Sequence, residues 1–139
     1  MYEVNVRWAG NHQYVAEGHE GRHAILLDIP ERSGGTDMGL HATELLLIAV
    51  GKCSAVDVVN ILKKQRMDLK SLRVAVSGEI TKDYPKHYEK IHCKYIVSGE
   101  GVTKEKVEKA VHLSHQKYCT VSLSLSEKCD VTTSVEVVQ

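Results

Sequence analysis

Residues 2–9 alternate, with Tyr2, Val4, Val6 and Trp8 set against Glu3, Asn5 and Arg7, which is the period of a half-buried strand. The same reading places strands over 13–17 and 23–29, the second closed by Pro30 and the turn-rich Ser33-Gly34-Gly35-Thr36-Asp37. A long apolar helix is predicted from about Ala42 to Arg66. Two further strands follow, Leu72–Thr81 and Tyr88–Ser98, parted by a turn at Asp83-Tyr84-Pro85, with Ile91, Cys93, Tyr95 and Val97 on one face of the second. Thr103 is a good helix N-cap with Glu105 in the first turn, and Val107, Ala110, Val111 and Ser114 carry helical spacing on to about Lys117. Residues 130–138 read as a closing strand. The segment 120–126 alternates like a strand yet follows closely on a helix, so its pattern is compatible with either.

The central helix carries the strongest physical inference. Between Leu45 and Leu62 apolar residues lie all around the wheel, so no wide face is left for water and nearly every side must be covered. One small sheet and one further helix cover about half of such a rod. A second copy of the chain is the simplest cover for the rest, which predicts an obligate homodimer; a strongly curved sheet of the same chain is the alternative. A membrane span is rejected, because Glu44, Lys52, Asp57 and Asn60 interrupt the run and a charge near mid-bilayer costs roughly 2.5–3.5 kcal/mol.

Composition narrows the class. At 139 residues, with 42% apolar and 26% charged, the chain suits one soluble domain over 1–139 and excludes disordered and fibrous classes. Eighteen basic and 18 acidic residues cancel, which gives no reason to expect a nucleic-acid or membrane partner. The N-terminus has no apolar run of signal-peptide length, so a cytoplasmic location is expected, and with it four reduced thiols.

Two of those thiols sit in suggestive places. Cys53 shares a lightly polar stripe with Asp57, Asn60 and Lys64 on the otherwise apolar helix. A small buried hydrophobe is the plain reading of a lone cysteine. The functional reading is a thiolate nucleophile, which Asp57 one turn on opposes, so it needs a cation from elsewhere. Cys119 lies where one helix ends; if a helix follows, its N-terminal N–H groups favour a thiolate. Cys93 reads as core and Cys129 as incidental. No Cys-x-x-Cys pair occurs, and His112 and His115, three apart, have no third ligand at a familiar spacing, so neither metal nor cofactor is expected.

The two cysteine contexts together resemble the OsmC/Ohr family. Glu44-Leu45-Leu46-Leu47, Gly51-Lys52-Cys53-Ser54-Ala55-Val56-Asp57-Val58-Val59 and Ile61-Leu62-Lys63-Lys64 look like its first cysteine motif. Lys117-Tyr118-Cys119-Thr120-Val121-Ser122 looks like its second, 66 residues on. The pattern is nearest to the YhfA-like branch and covers essentially the whole chain. The resemblance implies an α+β fold in which antiparallel sheets wrap long central helices in an intertwined homodimer. It also implies thiol-dependent reduction of organic hydroperoxides, with Cys53 as peroxidatic thiolate and Cys119 as resolving thiol. A thiol or dithiol reductant would then restore the pair. It favours a short helix for 120–126.

Two positions depart from the family pattern. The hydroperoxide reductases carry a glutamate ten residues before the first cysteine, where this chain has Thr43; Glu44 stands nine before. Nine residues are two and a half turns, which sets Glu44 opposite Cys53 and about 13.5 Å along the axis. Glu44 therefore either serves a partner's site or caps the helix. Those enzymes also hold the thiolate with an N-terminal arginine, for which Arg7 and Arg22 are candidates by region only, and Thr120 stands where a proline is common. A ligand-binding or redox-sensing protein on the same scaffold is the alternative function, and an inert fold with buried thiols a third.

Overall fold

The computed structural model describes residues 1–139. Two compact units divide at the first helix, Met1–Leu46 and Leu47–Gln139.

The first unit is a three-stranded antiparallel meander of β1 (Asn5–Trp8), β2 (Tyr14–Glu17) and β3 (Ala24–Leu27), in the order of the chain. Trp8 pairs with Tyr14 across a tight turn in which Gly10 and Asn11 take positive φ, and the Trp8 indole donates to Asn11 O at 2.8 Å. The alternation of 2–9 is present, but its apolar side is not buried: Val4, Val6 and Trp8 are each more than 60% exposed. The loop after β3 is organised by Asp28, whose carboxylate accepts from Ile29 N at 2.7 Å, Thr36 Oγ1 at 2.6 Å and Met38 N at 3.1 Å. Hydrogen bonding, led by the Thr36 hydroxyl, outweighs desolvation and lowers its pKa to about 2. Gly35 is obligatory in this loop, because a Cβ there would meet Ile29 O at 2.2 Å and Asp28 Oδ1 at 2.7 Å.

Helix α1 (Ala42–Lys64) begins in the first unit and continues into the second. Its head carries half of a capping box: Glu44, at the third helical position, accepts from His41 N at 3.0 Å and pairs with His41 Nδ1 at 3.1 Å.

In the second unit β4 (Asp68–Ile80) and β5 (Tyr88–Glu100) form a long antiparallel hairpin. The chain then runs through α2 (Lys104–Leu113), a π-turn over Ser114–Tyr118 and the one-turn α3 (Thr120–Leu123) into β6 (Asp130–Val137). β6 lies parallel to β5. The second sheet is thus mixed, a correction to the antiparallel expectation. A helical crossover returns the chain to the end of the sheet from which β5 started, and a strand begun there runs the same way as β5. Thr103 caps α2 as expected, accepting from Lys106 N at 3.3 Å.

Ile91, Cys93, Tyr95 and Val97 are fully buried, and they join Val50, Val58, Leu62, Val107, Ala110 and Val111 in one core. The helix α1 lies close on β4: a Cβ at Gly51 would be 2.8 Å from Val76 Cγ2, and one at Gly78 would be 3.0 Å from Leu47. The rest of α1 is open. It is the one helix long and apolar enough to cross a membrane, yet only 28% of that apolar window is buried, and Leu46, Ile48 and Val56 are 37–49% exposed.

Candidate functional site

Cys53 lies on the half-covered side of α1, while Cys119 is fully buried at the cap of α3. The fold brings these two thiols into contact. Cys53 is near enough to push the Cys119 pKa up, through hydrogen bonding and through its charge. What delivers Cys119 to that place is the π-turn, closed by Cys119 N donating to Ser114 O at 2.7 Å. An extra residue in a helical turn re-aims every side chain after it, and such turns recur at functional sites.

The structure supplies the N-terminal N–H group expected at Cys119, but burial outweighs it. Ser122 N does donate to Cys119 Sγ at 3.4 Å, and the Ser122 side chain also favours the anion. Burial is nevertheless the largest effect and pushes the pKa up, reinforced by Cys53. A four-residue helix has little dipole to set against complete desolvation. Cys119 therefore holds its proton at neutral pH. Cys93 behaves likewise, raised to about 11 by burial and by the neighbouring Cys119; it is core, as its strand position implied.

Behind Cys119 runs a buried polar chain that inspection of motifs missed. Ser54 Oγ donates to Gly51 O at 3.3 Å and lies 2.6 Å from Tyr95 OH. Tyr95 OH is 2.6 Å from His115 Nε2, and His115 Nδ1 is 2.9 Å from Ser122 Oγ. Donor order follows from its end point. A carbonyl only accepts, so the Ser54 proton goes to Gly51 O; Tyr95 must then donate to Ser54 and accept from His115 Nε2–H. That leaves Nδ1 bare, and Ser122 donates to it. Burial lowers the His115 pKa against a smaller upward pull from Asp57, so the ring is neutral. With both nitrogens engaged, His115 has none to offer a metal beside His112. The one sequence signal for this chain was the helical row ending at Ser114, into which Tyr95 projects from β5.

The other expected residues are spread out. Asp57 accepts from Ser114 Oγ at 2.7 Å; with Asn60, Ile61, Lys64, Gln65, Leu113 and Tyr118 it lines an open cleft of about 420 Å³. Arg7 pairs with Glu17 at 3.5 Å, and Arg22 with Glu20 at 2.9 Å, within the first unit. Glu44 is engaged with His41 as described.

The site is thus a half-covered thiol on the central helix and a buried thiol on the crossover, within an α+β fold. Residues 34–134 match the family model described as OsmC-like protein. The protein YhfA of Escherichia coli K12 is 35% identical over 136 residues, 98% of both chains. A hypothetical protein from Aquifex aeolicus superposes with a TM-score of 0.81 at 30% identity, over 100% of this chain and 98% of that one. An organic hydroperoxide resistance protein from Legionella pneumophila shares the fold, with a TM-score of 0.75 at 18% identity over 99% and 97% of the two chains. This chain belongs to the OsmC-like family and has its α+β fold.

Proposed function

We propose that the protein is a thiol-dependent peroxidase acting on organic hydroperoxides. The contact between Cys53 and Cys119 carries the reading; the hydroperoxide-resistance proteins among the structural relatives support it. Cys53, as thiolate, attacks the distal peroxide oxygen; the O–O bond breaks, Cys53 becomes a sulfenic acid, and the alkoxide leaves and takes up a proton as the alcohol. The Cys119 thiol then displaces water from the sulfenic acid to form a Cys53–Cys119 disulfide. An external dithiol returns the pair to the reduced state by exchange.

In this reading the chain is a single domain over 1–139 and works in the cytoplasm as a homodimer. The open apolar side of α1 and the exposed Val4, Val6 and Trp8 call for cover by a second copy. We assign Glu44, which caps its own helix, a second role at the seam between subunits, as a carboxylate serving the partner's site. No cation from the chain's own Arg7 or Arg22 is assigned to Cys53.

Turnover of cumene hydroperoxide with dithiol reductant tests the proposal. Cys53→Ser should abolish it, and Cys119→Ser should leave one turnover that stalls at a trappable sulfenic acid. Wild-type rates in Cys53→Ser would end the reading. A second reading, a ligand-binding redox sensor, is favoured by the cleft of about 420 Å³ and by Thr43 in the glutamate position. Thiols inert to hydroperoxide, together with a small molecule retained on purification, would select it.

A further inference from the structure

The condensing step poses a problem the peroxidase reading does not itself solve. Cys119 has no exposed surface and keeps its proton at neutral pH, yet that proton must leave as the disulfide forms. We propose that Ser122 and His115 are the proton outlet of Cys119: Ser122 Oγ takes the thiol proton while passing its own to His115 Nδ1. The inference rests on the peroxidase reading.

The geometry is already assembled. The Ser122 backbone N–H reaches Cys119 Sγ at 3.4 Å, ready to hold the charge that develops on sulfur, and the Ser122 side chain favours that charge as well. Ser122 Oγ lies 2.9 Å from His115 Nδ1. The run of donors ending at Gly51 O keeps that nitrogen bare, and therefore able to accept. Tyr95, 2.6 Å from Nε2, fixes the ring plane. The outlet also has somewhere to lead. His115 and Ser122 line a separate cavity of about 300 Å³ with His112, Gln116, Val131 and Thr133, so a proton held by the Ser122–His115 pair can pass to water there when their hydrogen bond opens.

Atoms balance as follows. The S–H bond of Cys119 and the S–O bond of the Cys53 sulfenic acid break, and one S–S bond forms. The Cys119 sulfur is oxidised and the Cys53 sulfur reduced, each to the disulfide level. The departing hydroxide combines with one proton, equivalent to the one His115 passes to the cavity, and leaves as water. The titratable and charged groups facing His115 are Asp57 of α1, Tyr95 of β5, Cys119 and, across the cavity, His112 of α2. Ser122 touches the reacting sulfur; His115 acts through it, as a positioning and proton-accepting residue.

Reduced protein is mixed with one equivalent of cumene hydroperoxide over roughly pH 5 to 8. Dimedone adducts at Cys53 and the Cys53–Cys119 disulfide are then followed by mass spectrometry. In the wild type, condensation should slow in acid with an inflection below 6.5, the ordinary histidine value. Ser122→Ala and His115→Gln, the second of which still donates to Tyr95 but cannot titrate, should slow condensation by about a hundredfold, let sulfenic acid accumulate and flatten the pH profile. Ser122→Thr, which restores the hydroxyl, should recover the rate, and this pair decides the matter if His115→Gln does not fold. Adducts that form at Cys53 while the variants condense at the wild-type rate and pH dependence overturn the outlet alone. Neither adduct nor disulfide in any protein overturns the peroxidase reading and the outlet with it.

Discussion

Tyr95 OH and His115 Nε2, 20 residues apart in the chain, are joined by a hydrogen bond of 2.6 Å at the centre of the second unit. The phenol is fully buried, and burial raises its pKa far above the ordinary tyrosine value. It is therefore a fixed neutral link, donating to Ser54 and accepting from the imidazole. Through it the carbonyl of Gly51 on α1 decides which nitrogen of His115 is free.

Tyr95→Phe should be costly despite its near-identical shape. It takes one partner each from the fully buried Ser54 oxygen and the half-buried His115 Nε2–H, a penalty of about 1–3 kcal/mol for each group left unsatisfied. Urea unfolding should show a midpoint lowered accordingly with an unchanged slope. Equal stability would mean that water replaces the hydroxyl.

Gly51→Ala sets two effects against each other. Alanine favours the helix by about 0.8–1 kcal/mol. Its methyl would come 2.8 Å from Val76 Cγ2, and overpacking of this kind costs typically about 1–3 kcal/mol. Val76 is short, branched and held in the long β4–β5 hairpin, so the steric cost should win. A lower thermal midpoint, with Cys53 more reactive to a thiol reagent as the helix is pushed off the sheet, is the expected outcome.

Asp28→Asn tests the loop of the first unit. Its pKa is lowered from 3.8 to about 2 in the folded protein, so the unfolded chain binds more protons across that interval. The stability contributed by the carboxylate is then complete above 3.8 and lost as pH falls through about 2. The stability difference between wild type and Asp28→Asn, measured by denaturant titration, should shrink across that window. A difference independent of pH would assign the effect to the amide's altered donors instead.

Ile48→Lys places a charge on the open apolar side of α1, where Ile48 is 49% exposed within one chain. Light scattering should give twice 15.5 kDa for the wild type and 15.5 kDa for the variant. The reason is that a buried unpaired lysine costs several kcal/mol in an interface while costing little on a monomer surface. A wild-type monomer would remove the dimer from the proposal.

Much was legible in the chain itself. Period-two alternation located β1 and the inner face of β5, turn signals marked the other strands, the unbroken apolar run located α1, and Thr103 marked the start of α2, because each of these signals is carried by neighbours in sequence. The face of Ile91, Cys93, Tyr95 and Val97 is buried as the alternation required. The OsmC-like membership was legible from two cysteine contexts. The helix over Thr120–Leu123 was not; its alternation favoured a strand, and the resemblance chose correctly.

Tertiary structure alone decided the rest. The parallel course of β6, the contact of Cys53 with Cys119 and the relay through Ser54, Tyr95, His115 and Ser122 join residues 7 to 66 positions apart, and no local period encodes such pairings. Protonation is the plainest case. Position beside a helix start argued for a Cys119 anion, whereas complete burial keeps it a thiol, because desolvation depends on what the remainder of the chain places around the sulfur. Sequence determines which groups exist and which way each element faces; the packed interior determines which of them are dry, and so which hold their protons.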